Sequence, residues 1–389
     1  MSARNWLLPE YVEDMLPAEA RRVESLRRRL LDLFFVHGYE LVIPPMLEYM
    51  ESLLTGTGHD LDLRTIKLVD QLSGRTIGLR ADMTPQVARI DAHLLNREGV
   101  TRLCYCGTVL HALPSGLNRT REPLQIGAEL YGHTGVESDL EIQRLMLAGL
   151  AAAGVRDLHL DLGHVGLFRA LVQRAGVGAE LEADLFQALQ MKDLPALREL
   201  AAPLAASSRA AILLLPTLYG GPEVLDAAAT HLPDEPGITA CLGQLRALVA
   251  GLDSDVGEVL VDLAELRGYH YHSGIVFAAY VAGSPNAVAQ GGRYDEVGKA
   301  FGRARPATGF SMDLRELAAL VGVDSARAAI LAPYAQDPAL AAAIARLRGA
   351  GEIVVVELPG QGGQAGHTAV DRRLVLAGGV WQVAPLHPQ

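Results

Sequence analysis

The chain has 389 residues, half of them hydrophobic, which is enough to bury a large core and to form two or more domains. With 45 acidic against 34 basic residues the formal net charge is −11, which repels polyanions and counts against a nucleic-acid partner. No apolar run is long enough to span a bilayer, and the three cysteines show neither disulfide-framework nor metal-ligand spacing. We therefore expect a cytoplasmic protein with reduced thiols, no membrane contact and no bound metal.

The first hundred residues predict a helix, a strand, a hairpin and a second helix. Residues 17–39 repeat apolar side chains at three- and four-residue spacing, as an amphipathic helix does. A strand is expected over residues 40–43, and a hairpin over residues 66–72 and 76–79, which flank a Ser-Gly-Arg turn. Thr84 precedes a proline and is a suitable N-cap for the second helix.

The middle of the chain predicts strands on both sides of a long helical stretch. Residues 102–113 and 122–132 alternate as strands do, and a polar loop joins them. Residues 166–257 are rich in Ala and Leu with helical periodicity, which indicates a helical insertion. Further elements are expected as strands over residues 259–263, 274–281 and 287–290 and as a helix over residues 313–321. Because strands and helices do not alternate regularly, the order favours an α+β fold with an antiparallel sheet flanked by helices.

The last part of the chain predicts a separate small domain. Residues 324–389 read as strand, helix, strand and further strand, with a flexible glycine-rich loop over residues 360–366. We expect a main domain over residues 1–323, containing the helical insertion, and a C-terminal α/β domain over residues 324–389.

Six segments, in order along the chain, resemble the motifs of histidyl-tRNA synthetases, which are class II aminoacyl-tRNA synthetases. They are Phe34 to Glu48, Leu79-Arg-Ala-Asp-Met-Thr84, Gly107 to Glu129, Arg267 to Phe277, Gly291-Gly-Arg-Tyr-Asp295 and Gly309 to Leu317. Each segment alone is a weak signal, whereas six in the correct order are a strong one. The resemblance implies the class II fold and a dimer formed through the first motif.

The departures from this pattern affect the residues that would hold ATP phosphates. An arginine is expected in the second and in the third motif, because its rigid fork donates two hydrogen bonds to phosphate. By position His111 replaces the first, with Leu113 in place of a nearby glutamate, and Glu316 replaces the second. Arg315 is adjacent to Glu316, but neighbouring side chains on a helix point about 100° apart. The resemblance therefore implies a protein without aminoacylation activity and without catalytic residues.

The C-terminal domain also departs from the synthetase pattern. Synthetases of this family end in an anticodon-binding domain of about a hundred residues, within the usual size of a domain. Only residues 324–389 are present here, and residues 331–366 contain few basic side chains. Together with the acidic total, this makes tRNA an unexpected partner.

The resemblance retains an amino-acid pocket, which we expect to bind free histidine without a cofactor. The resemblance assigns Asp82, Thr84, Gln125 and Glu129 to the hydrogen-bond acceptor side of this pocket. Arg267 would meet the carboxylate, and Tyr271 with His272 would line the ring end. His111 completes the set of candidate histidine-binding residues. Asp82 and His272 replace the family's usual Glu and Tyr, which puts the pocket's size and preference in question.

Each candidate also has a purely structural interpretation. Asp82 or Glu129 could be a salt-bridged carboxylate between strands, and Arg267 could pair with Glu265 or Asp262. The glycines of the later motifs could serve backbone geometry alone.

A synthetase-like body with altered phosphate contacts and no anticodon domain resembles the regulatory subunits of ATP phosphoribosyltransferase. That resemblance implies a short-form catalytic subunit as partner, histidine as effector and a role in the first step of histidine biosynthesis. Two alternatives remain open: a divergent histidyl-tRNA synthetase or other ATP-dependent aminoacyl ligase, and a stand-alone histidine-binding sensor.

Overall fold

A computed structural model describes residues 7–55, 59–114, 119–252, 256–321, 328–360 and 369–386. The chain divides into two compact units, Met1–Val321 and Gly322–Gln389. The expected domain boundary between residues 323 and 324 lies outside the described residues, as do residues 361–366 of the expected glycine-rich loop.

The first unit begins with the predicted amphipathic helix, α1, Pro17–Val36. Its buried face is Val23, Leu26, Leu30 and Phe34. The helix ends three residues earlier than expected, because the chain turns at Gly38, whose φ of +84° is favourable only for glycine.

A three-stranded antiparallel sheet contains the predicted hairpin. Its strands are β2 (Leu47–Tyr49), β3 (Ile66–Val69) and β4 (Thr76–Leu79), in the order β2-β4-β3. The first hairpin strand is shorter than expected, because Asp70 accepts backbone hydrogen bonds from the turn at Leu72 and Ser73. Short helices α2 (Met50–Leu53) and α3 (His59–Arg64) lie between β2 and β3.

A nine-stranded, mainly antiparallel sheet forms the centre of this unit. Its strands in chain order are β1 (Glu40–Leu41), β5 (Thr101–Thr108), β6 (Leu124–Tyr131), β7 (Leu158–His164), β8 (Tyr219–Gly220), β9 (Glu258–Asp262), β10 (Ile275–Val281), β11 (Ala289–Arg293) and β12 (Ala307–Asp313). Their spatial order is β1-β5-β6-β12-β11-β10-β7-β9-β8, with parallel pairs only at β1–β5 and β7–β9. The predicted α+β class with an antiparallel sheet is therefore confirmed.

Helices cover this sheet and form the expected insertion. α4 (Thr84–Arg89) continues into a π-helical turn at Ile90–Leu95, α5 is Val136–Ala153, and α12 is Leu314–Leu320. The insertion is mostly helical, as predicted, with α6 (Val165–Ala175), α7 (Ala179–Gln190), α8 (Leu194–Ala201), α9 (Ala206–Leu214), α10 (Val224–His231) and α11 (Pro236–Leu252). None of the helices in the described segments combines the length and apolarity needed to cross a bilayer.

The second unit has the predicted order of strand, helix, strand and further strand. Its elements are β13 (Ala329–Ala332), α13 (Pro338–Gly349), β14 (Val354–Val356), β15 (Val370–Ala377) and β16 (Val380–Pro385). β13 runs parallel to β14 and β15, and β15 forms an antiparallel hairpin with β16. Asp337 caps α13 and accepts a hydrogen bond of 2.7 Å from the indole of Trp381.

The buried face of α1 gives a stability prediction. Leu30 is fully buried in the core shared with α5, so Leu30→Ala leaves a cavity and should lower the free energy of unfolding by about 2–5 kcal/mol. Leu72→Ala is the matched control, since that side chain is 99% exposed and should change the free energy by less than about 0.5 kcal/mol. Urea unfolding followed by circular dichroism measures both, and equal effects would contradict the packing described here.

Candidate functional site

Most of the predicted site residues meet at one cavity of about 420 Å³. Six of the eight line it: Asp82, Thr84, Glu129, Arg267, Tyr271 and His272. The other two, His111 and Gln125, line an adjacent cavity of about 100 Å³, whose wall also includes Asp82. We call these the larger and the smaller cavity.

The turn before α4 holds Asp82 in place through its own backbone and through β6. Asp82 Oδ1 accepts hydrogen bonds from the Thr84 backbone N–H and from Gln125 Nε2, both at 3.0 Å. Gln125 Oε1 in turn accepts from the Met83 backbone N–H at 2.9 Å. Both ends of the Gln125 amide group are therefore bonded to the turn, and Asp82 Oδ2 is an acceptor for which no hydrogen bond is seen among the described residues.

Glu129 is buried at 1% exposure where β6 crosses the wall of the larger cavity. Its carboxyl group accepts hydrogen bonds from the hydroxyls of Tyr105, at 3.0 Å, and Tyr294. Burial outweighs these hydrogen bonds and raises the pKa of Glu129 to about 8. At neutral pH this group therefore carries a proton for most of the time.

Gly309 makes room for this carboxyl group. It is the register partner of Glu129 on β12, and a Cβ atom there would overlap Glu129 Oε2. Its φ is not positive, so the absence of a side chain matters here for space rather than for backbone conformation.

Arg267 pairs with Glu265, one of the two structural partners that the sequence allowed. Its Nη2 lies 3.3 Å from Glu265 Oε2 and donates to the Tyr280 hydroxyl at 2.8 Å, whereas Asp262 pairs with Lys192. The guanidinium still lines the larger cavity.

The aromatic end of the larger cavity is formed by Tyr271, His272 and Tyr294. The ring of Tyr271 lies 5.3 Å from that of His272 and 5.1 Å from that of Tyr294, between centroids. The Tyr271 hydroxyl is buried and has no hydrogen-bond partner among the described residues. His272 Nδ1 lies 3.3 Å from the Arg293 carbonyl, and burial lowers the pKa of His272 to about 4, so its ring is neutral.

The smaller cavity contains the substituted phosphate-binding positions. Glu316 forms an ion pair with Arg119, with Nε 2.7 Å from Oε1 and Nη2 donating to Oε2 at 3.0 Å. Arg315 points away, toward the carbonyls of Glu122 and Glu13 at 3.4 Å, and does not line either cavity. The position of the third-motif arginine thus holds a carboxylate, which pairs with the guanidinium of Arg119.

His111 is buried at 4% exposure beside this ion pair. Its Nε2 lies 3.0 Å from the Ala81 carbonyl and 2.9 Å from Arg64 Nη2. Burial, followed by the charge of Arg64, lowers the pKa of His111 to about 4, so the ring is neutral and cannot replace an arginine as a phosphate-binding cation.

Three residues of the site were missed by the sequence reasoning. Tyr294 was within the quoted Gly-Gly-Arg-Tyr-Asp segment, and Tyr105 lies on a predicted strand, so both could have been found. Arg64, which lines both cavities, belongs to no motif. In the parts of the chain that the structure covers, no group of three or more His, Cys, Asp or Glu side chains could hold a metal ion.

Comparison with known proteins gives two family matches. A family model described as histidyl-tRNA synthetase matches residues 11–317, and one described as the ATP phosphoribosyltransferase subunit HisZ C-terminal domain matches residues 327–384. Proteins named ATP phosphoribosyltransferase regulatory subunit from Cupriavidus taiwanensis and Ralstonia nicotianae are 61% and 63% identical to the chain. The matches span 98% of the chain in both cases, and 100% and 98% of the two relatives.

Solved structures give a consistent result. A Bacillus halodurans protein described as an ATP phosphoribosyltransferase regulatory subunit/histidyl-tRNA synthetase superposes with a TM-score of 0.81 at 28% identity, over 92% of this chain and 93% of that one. A histidyl-tRNA synthetase from a Nostoc species has a TM-score of 0.77 at 17% identity, over 96% of this chain and 91% of that one. The latter shows a shared fold alone.

The buried Glu129 predicts a pH-dependent stability. The pKa of Glu129 is about 8 in the folded chain, and its ordinary value is 4.5. Between these two pH values the folded state therefore binds the proton more tightly than the unfolded state does. The contribution of Glu129 to the free energy of unfolding should therefore fall as pH rises from about 4.5 to about 8. Glu129→Gln should remove that component, which urea titrations at several pH values would measure. Glu180→Gln, at an exposed position in α7, is the control and should leave the pH dependence unchanged.

Proposed function

The chain belongs to the family of ATP phosphoribosyltransferase regulatory subunits, and on that premise we propose that it binds free histidine and regulates a separate, short-form catalytic subunit. It acts without catalysing a reaction of its own. Its place is the first step of histidine biosynthesis, with histidine as the feedback effector.

The Arg119–Glu316 ion pair carries this proposal. It neutralises Arg119 inside the smaller cavity, whereas the larger cavity is lined by the polar side chains of Asp82, Thr84 and Glu129. The volume of about 420 Å³ lies within the range of about 300–1,000 Å³ usual for small-molecule sites, and about 100 Å³ lies below it. The two volumes support binding of an amino acid and argue against binding of an intact nucleotide beside it.

The groups of the larger cavity match those of free histidine. Asp82 and Thr84 supply acceptors for the ammonium group, with Gln125 holding Asp82 in position. Glu129 and the unpartnered Tyr271 hydroxyl are suited to the imidazole nitrogens, next to His272. Two arginines line this cavity, Arg64 and Arg267, and the sequence resemblance assigns the ligand carboxylate to Arg267. His111 belongs to the site as the neighbour of Arg64.

Binding without consumption allows the site to report histidine concentration. If histidine binds more tightly to one of two states of the complex with the catalytic subunit, it shifts the populations of the two states by that difference in affinity.

The alternative of an active ligase conflicts with the smaller cavity, where Arg119 is already paired with Glu316. The alternative of a stand-alone sensor conflicts with the match of the C-terminal unit to a domain named for the transferase subunit. We also infer that tRNA is not a partner, because the net charge is −11.

We further propose self-association through the surface formed by the first motif. Its large apolar side chains are exposed: Phe35 76%, Val36 74%, Leu41 50%, Ile43 79% and Leu47 51%. A patch of this kind on one face is typical of a subunit interface, and the histidyl-tRNA synthetase fold supports a two-fold arrangement.

Reconstitution with the short-form catalytic subunit of the same organism tests the function. We expect a 1:1 complex that gains phosphoribosyl transfer to ATP and loses it as histidine is added. Asp82→Asn should leave assembly intact and raise the histidine concentration for half-inhibition by about 10- to 100-fold, because the carboxylate charge that strengthens the hydrogen bond to the ammonium group is lost. Asp184→Asn, an exposed position in α7, is the matched control. Equal histidine sensitivity of Asp82→Asn and wild type would contradict the site, and histidine-dependent ATP–pyrophosphate exchange by the isolated chain would contradict the function.

The first-motif surface gives a separate prediction. Phe35→Glu should convert the dimer to a monomer, because it places a charge in the centre of an apolar interface. Light scattering after gel filtration measures the mass. Met191→Glu, at a side chain that is 74% exposed in the insertion, should remain dimeric. A Phe35→Glu protein that keeps the dimer mass would refute this interface.

A further inference from the structure

Arg64 lies where the two cavities meet. It lines both of them, together with Asp82, Gln290 and Ser311, whereas Arg267 lines only the larger one and Arg119 only the smaller one. A cationic side chain at this junction can reach a ligand that occupies the larger cavity and ends at the smaller one.

The charge of Arg64 is not compensated by a carboxylate. No ion pair joins Arg64 to any acidic side chain over the described ranges, and its Nε is buried without a hydrogen-bond partner. The other two arginines differ, because Arg119 pairs with Glu316 and Arg267 with Glu265. Since Arg64 is the one of these three arginines whose charge no carboxylate compensates, it is the cation with the most to gain from an anionic ligand.

The position of Arg64 is fixed by its surroundings. It is the last residue of α3, and its carbonyl accepts a hydrogen bond of 2.8 Å from the Ala112 backbone N–H. The next residue, Thr65, forms a β-bridge with His111. The His111 ring, 2.9 Å from Arg64 Nη2, is neutral, so it positions the guanidinium without supplying a counter-charge.

The shared wall of the cavities therefore holds one acid and one base that do not pair with each other. Asp82 has a carboxylate oxygen without a recorded hydrogen bond, and Arg64 has no carboxylate partner among the described residues. An α-amino acid carries an ammonium group and a carboxylate on the same carbon atom, so its head group complements two such side chains at one junction. A ligand carrying only one of these charges would leave the other side chain uncompensated.

We propose that Arg64 binds the carboxylate of the amino-acid ligand while Asp82 binds its ammonium group, and that Arg267 shapes the larger cavity through Glu265 and Tyr280. This assignment rests on the proposed binding of histidine in the larger cavity. Head-group recognition then occurs at the junction, and the imidazole extends into the larger cavity toward Glu129 and Tyr271. His111 is a positioning residue for Arg64.

The test compares L-histidine with L-histidinol, in which a hydroxymethyl group replaces the carboxylate, by calorimetric titration of the full chain. Wild type should bind histidine about 10- to 100-fold more tightly than histidinol, the range expected for a charge-assisted hydrogen bond. Arg64→Gln should bring the two affinities within about threefold of each other. Arg64→Lys should keep part of the preference, because lysine retains the charge but not the two-pronged geometry.

Two controls separate this effect from a general loss of charge or of structure. Lys67→Gln removes a nearby cation that pairs with Asp62 and lines neither cavity, so the preference should be unchanged. Arg267→Gln should weaken both ligands by the same factor. Thermal unfolding checks that each variant folds. If Arg64→Gln does not fold, Arg64→Lys decides, and an undiminished preference in that variant overturns the assignment.

The failures of the two proposals are distinguishable. If wild type binds neither ligand, the histidine site and the Arg64 assignment fall together. If wild type prefers histidine and Arg64→Gln keeps that preference, or if Arg267→Gln alone abolishes it, only the Arg64 assignment is overturned.

Discussion

Glu129 occupies β6 at a point where that strand is paired on both sides, with β5 and with β12. A carboxyl group buried there is stable only if its neighbours give it hydrogen bonds and space. Tyr105 on β5 and Tyr294 after β11 donate the hydrogen bonds, and Gly309 on β12 leaves the space. A one-residue slip of β6 would turn Glu129 to the opposite face, so the register of the central sheet and the chemistry of the larger cavity are a single constraint.

The charges around this sheet leave one arginine paired and another unpaired: Arg119 in the smaller cavity has a carboxylate partner, and Arg64 on the wall shared by both cavities has none among the described residues. Replacing a phosphate-binding arginine with a neutral side chain would have left Arg119 free to attract polyanions. Glu316 instead pairs with Arg119 inside the smaller cavity, where partial burial strengthens the attraction. Arg64, a neighbour on the shared wall, has no such partner among the described residues. The distribution of acids, rather than of bases, determines where a ligand anion can bind.

Sequence periodicity was sufficient for the elements whose pattern is local, such as α1 and the β3–β4 hairpin. Periodicity did not predict β7, although the sequence of Leu158–His164 alternates as a strand does. The Ala- and Leu-rich sequence that follows it indicated a helix instead. Periodicity also predicted that β5 extends to residue 113. Residues 110–112 instead leave the sheet, and their backbone N–H groups donate to the backbone carbonyls of Arg80, Arg121 and Arg64. The motifs located six residues of the larger cavity. They could not locate Arg64, because its place in the site arises from tertiary contacts with the segment around His111.

The proposed binding of histidine and the absence of activation follow from the same geometry. An amino acid that is to be adenylated must present its carboxylate to a bound nucleotide, and that reaction needs free cations next to the carboxylate. Here the carboxylate would meet Arg64 at the junction, but beyond it lie a cavity of about 100 Å³ and an arginine already paired with Glu316. The contacts to the amino acid would thus stabilise the bound ground state, and no further contact would stabilise the transition state of adenylation. A site of this kind would release its ligand unchanged, so under the proposed function its occupancy would follow histidine concentration, as a feedback regulator requires.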